Sequence, residues 1–242
     1  MFAGLHAPVA DYDAQMTLTE HLGELRSRLI HSLVAVAVCS VVCWFFIDEI
    51  TSVLTAPAGE LYFMKPMDAF FIYLKLLLAG GVVVASPVLF YELWAFLVPA
   101  FSAHGKAVLS VMTVSSLALF ALGASLAFFF VVPNGFRFFL GFGESLAQPM
   151  ISMDSYLNFV IMLVLPFGLA FNLPLVLIFL GKLGVINSSQ MKRWRKVVVF
   201  GSFVASAVLT ATTDVFTQCL LAMPLIILYE ISRLIIQYGM KR

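Results

Sequence analysis

Glu24 is the side chain in this sequence best placed to hold a ligand. It stands within His21-Leu22-Gly23-Glu24-Leu25-Arg26-Ser27-Arg28-Leu29, and uninterrupted apolar sequence follows at once. A carboxylate pairs with a guanidinium through a planar fork of N–H donors, and charge-assisted bonds of this kind are the strong ones. Helical spacing puts Glu20, Glu24 and Arg28 on one face, each one turn from the next. Two readings of that face stand. One is a surface helix whose Glu24–Arg28 pair is worth about 0.2–0.5 kcal/mol. The other is an acidic site at a membrane surface, facing a cationic peptide. Thr17-x-x-Glu20 fits a capping box that starts this helix, and Leu18, Leu22, Leu25 and Leu29 form its apolar stripe.

Residue sets that make or break bonds are missing from the sequence. It has no His-Glu-x-x-His, no Gly-x-Ser-x-Gly, no Gly-x-Gly-Asp and no paired aspartates at membrane depth. An intramembrane protease or metalloenzyme needs such groups. The chain reads as a non-enzyme without a cofactor. Cys39, Cys43 and Cys219 all fall in apolar runs and read as buried or lipid-facing thiols. The spacing of Cys39 and Cys43 along a straight helix suits a disulfide poorly, and no histidine stands near to complete a metal site.

The elements that must position Glu24 are membrane helices. The 242 residues are 62% hydrophobic and only 11% charged, against about 25% charged in soluble domains. Mean hydropathy is +1.03. A net charge of +1 carries no nucleic-acid signature. Residues 1–16 contain Asp11 and Asp13 and lack a basic n-region and an apolar h-region, so they read as a flexible tail and not as a signal peptide. Met16 is a candidate start.

Crossing a bilayer takes about 20 apolar residues. Residues 17–242 offer six spans: Leu29–Ile47, Phe70–Val98, Ala107–Val132, Tyr156–Leu180, Val197–Leu209 and Val215–Ile236. The fifth is short, which calls for bilayer thinning or shielding by partner helices. Pro99 and Pro133 are expected to end the second and third. Of the 14 lysines and arginines, eleven fall on the side of both termini and three (Lys65, Lys75, Arg137) on the other. That imbalance places both termini in the cytoplasm. The expected fold is an all-α polytopic membrane protein with long outer loops, Asp48–Ala69 and Pro133–Asp154. Phe136, Phe138, Phe139 and Phe142 make the second loop partly interfacial. The two halves show no internal repeat, which argues against an inverted-repeat transporter.

Polar residues inside spans each need a partner. Glu92, near the cytoplasmic end of span two, either snorkels or pairs with another helix. Lys75, at the outer end of the same span, can snorkel outward. Glu230 and Arg233 read as a local pair. Asn172 lies between Pro166 and Pro174; it either satisfies a carbonyl freed by a proline or belongs to a polar path or partner site. Thr210, Asp214 and Gln218 flank the outer start of span six. A helix cap explains Asp214. Gln218, one turn into the membrane, needs a hydrogen-bond partner, and a partner helix can supply it.

Taken together and in order, several segments resemble the TatC family, the polytopic subunit of the twin-arginine protein translocase. They are His21-Leu22-x-Glu24-Leu25-Arg26-x-Arg28-Leu29, Ala56-Pro57, and Ser86-Pro87-Val88-Leu89-x-Tyr91-Glu92-Leu93-Trp94-Ala95-Phe96-x-x-Pro99. Further on come Ser155-Tyr156-Leu157-x-Phe159, Phe167-Gly168-x-x-Phe171-x-Leu173-Pro174, Leu209-Thr210, Asp214-Val215-Phe216-x-Gln218, Pro224 and Glu230-Ile231. The likeness runs from about Thr17 to Tyr238. It implies a receptor for twin-arginine signal peptides at the core of a complex with TatA/TatB-type single-span subunits in the bacterial cytoplasmic membrane. Self-association and transport of folded cargo on the proton-motive force come with it. It implies that Glu24, within the motif that includes Arg26, reads the arginines with the end of span two (Phe96) and the following loop (His104, Gly105). Asn172, Thr210, Asp214 and Gln218 become partner-helix positions. Two departures stand out: Gly105 where an acid is expected, and Asn172 in place of a span-four glutamate. Glu20 is a candidate for the missing second acid. A divergent paralogue with altered signal reading, and a secondary transporter using Glu92 and Asn172, are the alternatives.

Overall fold

A computed structural model describes residues 18–97, 105–141, 150–210 and 215–239. Among these residues the chain is helical apart from turns and one isolated parallel bridge, Tyr62–Ser152. The elements are α1 (Leu18–Trp44), α2 (Ile47–Thr55), α3 (Asp68–Leu97), α4 (Gly105–Leu126), a π-helical turn (Ala127–Val131), α5 (Val132–Gly141), α6 (Met153–Ala170), α7 (Leu173–Lys182), α8 (Ser188–Thr210) and α9 (Val215–Gly239). Thr17, the expected cap of α1, lies outside the described residues.

Five stretches among the described residues are long and apolar enough to cross a membrane: Glu20–Trp44, Asp68–Leu97, Ala107–Gly141, Met153–Lys182 and Gln218–Tyr238. The predicted fifth span is the second half of α8. Lys192, Arg193, Arg195 and Lys196 occupy the half before it and shorten its apolar reach. One expectation needs correction. Pro133 does not end the third span. The π-helical turn just before it loosens the backbone where the proline ring and its missing N–H would otherwise disrupt an α-helix. Asn134 Nδ2 then donates to the Phe130 carbonyl at 2.7 Å, and the helix runs on to Gly141. The fourth span runs Met153–Lys182 and is divided at Phe171-Asn172 into α6 and α7, between its two prolines. The first outer loop begins with a helix, α2.

Small residues let the long helices approach. A Cβ on Gly81 of α3 would lie 3.0 Å from the backbone nitrogen of Ser40 on α1, and one on Gly80 would lie 3.2 Å from Cys43 Sγ. Between α4 and α6 the fit is reciprocal: Gly123 receives Phe171, and Gly168 receives the Phe120 ring. Membrane helices associate through such close packing, because lipid offers no hydrophobic driving force between them. The main core joins α3, the π-helical turn, α5, α6 and α9 through Ile72, Leu76, Val132, Tyr156, Phe167 and Leu221.

At the predicted outer end, Lys75 does not snorkel free but pairs with Asp154 of α6 at 2.7 Å. Tyr62 N donates to Ile151 O and Met153 N to Tyr62 O, both at 3.0 Å, so the two outer loops clasp each other. Tyr156 Oη donates to the Leu54 carbonyl at 3.1 Å and ties α6 to α2. Gln218 of α9 donates through Nε2 to the Phe203 carbonyl of α8 at 2.8 Å. Its partner is therefore a helix of the same chain. Gln218→Leu is expected to cost about 1 kcal/mol, the scale of interhelical bonds in membranes. Thermal unfolding in detergent measures it, and an unchanged midpoint would show that the bond carries no stability.

Candidate functional site: a carboxylate pair around one arginine

The α1 and α3 seam brings a carboxylate from each helix to one guanidinium. Glu24 and Arg28 stand one turn apart on α1, as the i,i+4 spacing predicts. Arg28 donates from Nε to Glu24 Oε1 at 3.0 Å and from Nη2 to the same oxygen at 2.6 Å. It also donates from Nη1 to Glu92 Oε2 of α3 at 2.9 Å. One planar fork thus bridges two helices. Side-chain exposure falls from 25% at Glu24 and 22% at Arg28 to 14% at Glu92. Glu92 is the most sheltered of the three, so its charge depends most on a cation close by.

His31 Nδ1 stands 3.6 Å from Glu92 Oε1 and adds a second cation there when protonated. On the terminal side of the pair, His21 of α1 stacks on Phe96 of α3 with centroids 4.3 Å apart and planes 15° from parallel. The register explains the layering. His21, Glu24 and Arg28 follow each other at three and four residues on α1; Glu92 and Phe96 are four apart on α3. Behind the charges lies a cavity of about 280 Å³. Arg28 and Glu92 edge it, and Leu25, Leu29, Phe90, Phe120 and Leu169 form much of its wall. A charged rim over an apolar floor suits a cation with an apolar neighbour. With Arg28 neutralising one of the two carboxylates, the three side chains retain a net charge of −1, which favours a cationic ligand.

The residues singled out from sequence do not all gather here. Glu24 and Phe96 do. Arg26 is exposed, two residues past Glu24 and off its face, and Glu20 is exposed one turn above. Gly105 begins α4; His104 lies outside the described residues, as does Asp214. Thr210 ends α8. Glu92 belongs to the site and Arg28 binds both acids. Sequence reasoning named each but joined only Glu24 to Arg28. The available signal was topological: a carboxylate in a span needs a cation, and Arg28 lies on the same membrane side as Glu92.

Asn172 sits apart, buried at the α6–α7 break. Its backbone N–H donates to Leu169 O at 3.0 Å, one residue short of the α-helical partner. Its side-chain Nδ2 takes the vacated place and donates to Gly168 O at 3.1 Å. The expected acceptor is a carbonyl freed by Pro166 or Pro174; the amide instead serves Gly168, whose carbonyl is vacated by the shifted N–H of Asn172 itself. Near the predicted cytoplasmic ends of α8 and α9, Glu230 accepts from Arg233 at 2.9 Å, the expected local pair, and also pairs with Arg195 of α8.

Comparison with known proteins points one way. Residues 20–224 match the family model described as Sec-independent protein translocase protein (TatC). A Desulforapulum autotrophicum protein named Sec-independent protein translocase protein TatC is 42% identical over 221 residues, covering 88% of this chain and 82% of that protein. The Aquifex aeolicus protein of the same name is 41% identical over 225 residues, covering 90% and 93%. A crystal structure of a twin-arginine translocase receptor, TatC, superposes with a TM-score of 0.84 at 40% identity, covering 91% of this chain and all of that one.

Proposed function

Because the chain belongs to the TatC family of Sec-independent protein translocase proteins, we propose that it receives twin-arginine signal peptides at the Glu24–Glu92 end of α1 and α3. It is a multi-pass membrane component of a protein translocase. The observation that carries the receptor reading is the Glu24 carboxylate, which already holds a guanidinium through two N–H donors. The chemistry needed for an incoming arginine is therefore built and in use. Lysine presents a point charge without the planar fork and is the poorer ligand.

In this reading both termini and the Glu24 site face the cytoplasm, the membrane is the bacterial cytoplasmic membrane, and six spans cross it, with α8 supplying the short one. TatA/TatB-type single-span subunits and further copies of the chain complete the translocase, and the proton-motive force drives folded cargo through it. Thr210 and Asp214 are the positions offered to partner helices, whereas Gln218 and Asn172 are engaged within the chain. No cofactor takes part.

Export of an Arg-Arg reporter in a strain lacking its own TatC tests the proposal. Rescue that disappears when the pair becomes Lys-Lys is the expected result. Failure to rescue, with single-span subunits still co-purifying, would assign the chain a scaffold role without arginine reading.

A further inference from the structure

Arg28 stands where the ligand should stand. We infer that Arg28 is an internal stand-in for a signal arginine, and that Glu92 is the second acid of the site; signal binding proceeds by exchange, and that exchange sets the preference for arginine over lysine. The inference rests on the receptor reading of Glu24 and adds a specificity-determining residue to it.

The geometry supports an exchange. Arg28 makes three N–H···O bonds, two to Glu24 Oε1 and one to Glu92 Oε2. Both bonds to Glu24 end on one oxygen, so the Oε2 oxygen lies outside the fork. An incoming guanidinium can begin there and then replace Arg28 bond for bond. Released Arg28 has a four-bond stem that can carry its charge toward water. For arginine the exchange trades like for like. An incoming ammonium lacks the planar fork and cannot reproduce paired bonds. It must displace a better-matched cation than itself, so lysine meets a threshold that arginine does not.

Charge counting leads to the same place. Glu24 and Glu92 with Arg28 sum to −1, while a twin-arginine pair carries +2. Displacing Arg28 raises the site to −2 and matches the ligand. Gly105 leaves no acid at the start of α4, and Glu92 supplies a second carboxylate from inside the helix pair instead. Among the described residues, the other ionisable group facing Glu92 is His31. It does not alter the count while neutral.

The test is binding of dye-labelled Arg-Arg and Lys-Lys signal peptides to the full chain in nanodiscs, followed by anisotropy. Wild type is expected to favour Arg-Arg. Arg28→Gln is expected to shrink that preference about tenfold, chiefly by tightening Lys-Lys, because both carboxylates then lie open. Arg28→Lys keeps a cation between the helices but loses the fork, and is expected to shrink the preference too; it decides the case if Arg28→Gln fails to fold. Glu92→Gln is expected to weaken Arg-Arg binding. An unchanged preference in folded Arg28 variants overturns the stand-in while leaving the receptor reading intact. Loss of both peptides in Arg28→Lys also overturns it, since Arg28 would then build the site and not compete for it. No preference in wild type overturns the receptor reading itself.

Discussion

Glu24→Gln is expected to weaken binding of an Arg-Arg signal peptide by about ten- to a hundred-fold. The change keeps the side chain's shape and removes its charge. A hydrogen bond to a charged group is worth about 1.5–3 kcal/mol net, and about 1.4 kcal/mol is a tenfold change in affinity. The loss also reaches beyond one bond. Without Glu24, Glu92 is the remaining acid of the pair, and Arg28 already neutralises it at 2.9 Å, so the site no longer attracts a cation. Peptide titration against both proteins measures the effect. Glu20→Gln is the companion measurement: a small loss leaves Glu92 as the second acid, whereas a loss equal to that of Glu24→Gln would move the second arginine to Glu20.

Gly123→Ala is expected to destabilise the bundle by about 1–3 kcal/mol, the usual cost of overpacking. A Cβ at this position would lie 2.7 Å from Phe171 Cγ and 2.8 Å from the Phe167 carbonyl oxygen. The carbonyl belongs to α6 and cannot rotate away. Relief requires α4 and α6 to part, which opens the reciprocal Gly168–Phe120 contact as well. Gly23→Ala provides the contrast. A Cβ there meets nothing within 4 Å, so the expected change is a gain of about 0.5–1 kcal/mol from helix propensity alone. Thermal unfolding in detergent should move in opposite directions for the two variants. A shared direction would mean that close packing of α4 on α6 is not what the glycine serves.

Both predictions depend on features that differ in how far the sequence reveals them. The spans are legible because burial in lipid demands long apolar runs, whatever the helices later touch. The pairing of Glu24 with Arg28 is legible because it is local to one helix. The link from Arg28 to Glu92 crosses 64 residues of sequence, and no periodicity reports it. It appears only once Gly80 and Gly81 have let α1 settle against α3. The continuation past Pro133 was hidden for a related reason. A proline usually stops a helix, but the π-helical turn before it absorbs the mismatch, and nothing in Ala127–Val131 announces that turn. Asn172 lies between these cases. Its need for a partner follows from its type, and the carbonyl it serves follows from the break at Phe171-Asn172.

The two arginines beside Glu24 differ in their surroundings. Arg26 is exposed and off the face that carries Glu24. Arg28 is bound to both acids and belongs to the site. Topology alone treats them as equals; the seam between α1 and α3 does not.

Photocrosslinking from a benzoylphenylalanine at Leu25, on the wall of the cavity beside Arg28 and Glu92, tests the location of the site most directly. Met223, exposed on α9, is the control position. The account predicts an adduct between position 25 and an Arg-Arg signal peptide that fades with a Lys-Lys peptide and in the Glu24→Gln background. An adduct at position 25 indifferent to both changes, or one formed in preference at position 223, would contradict it.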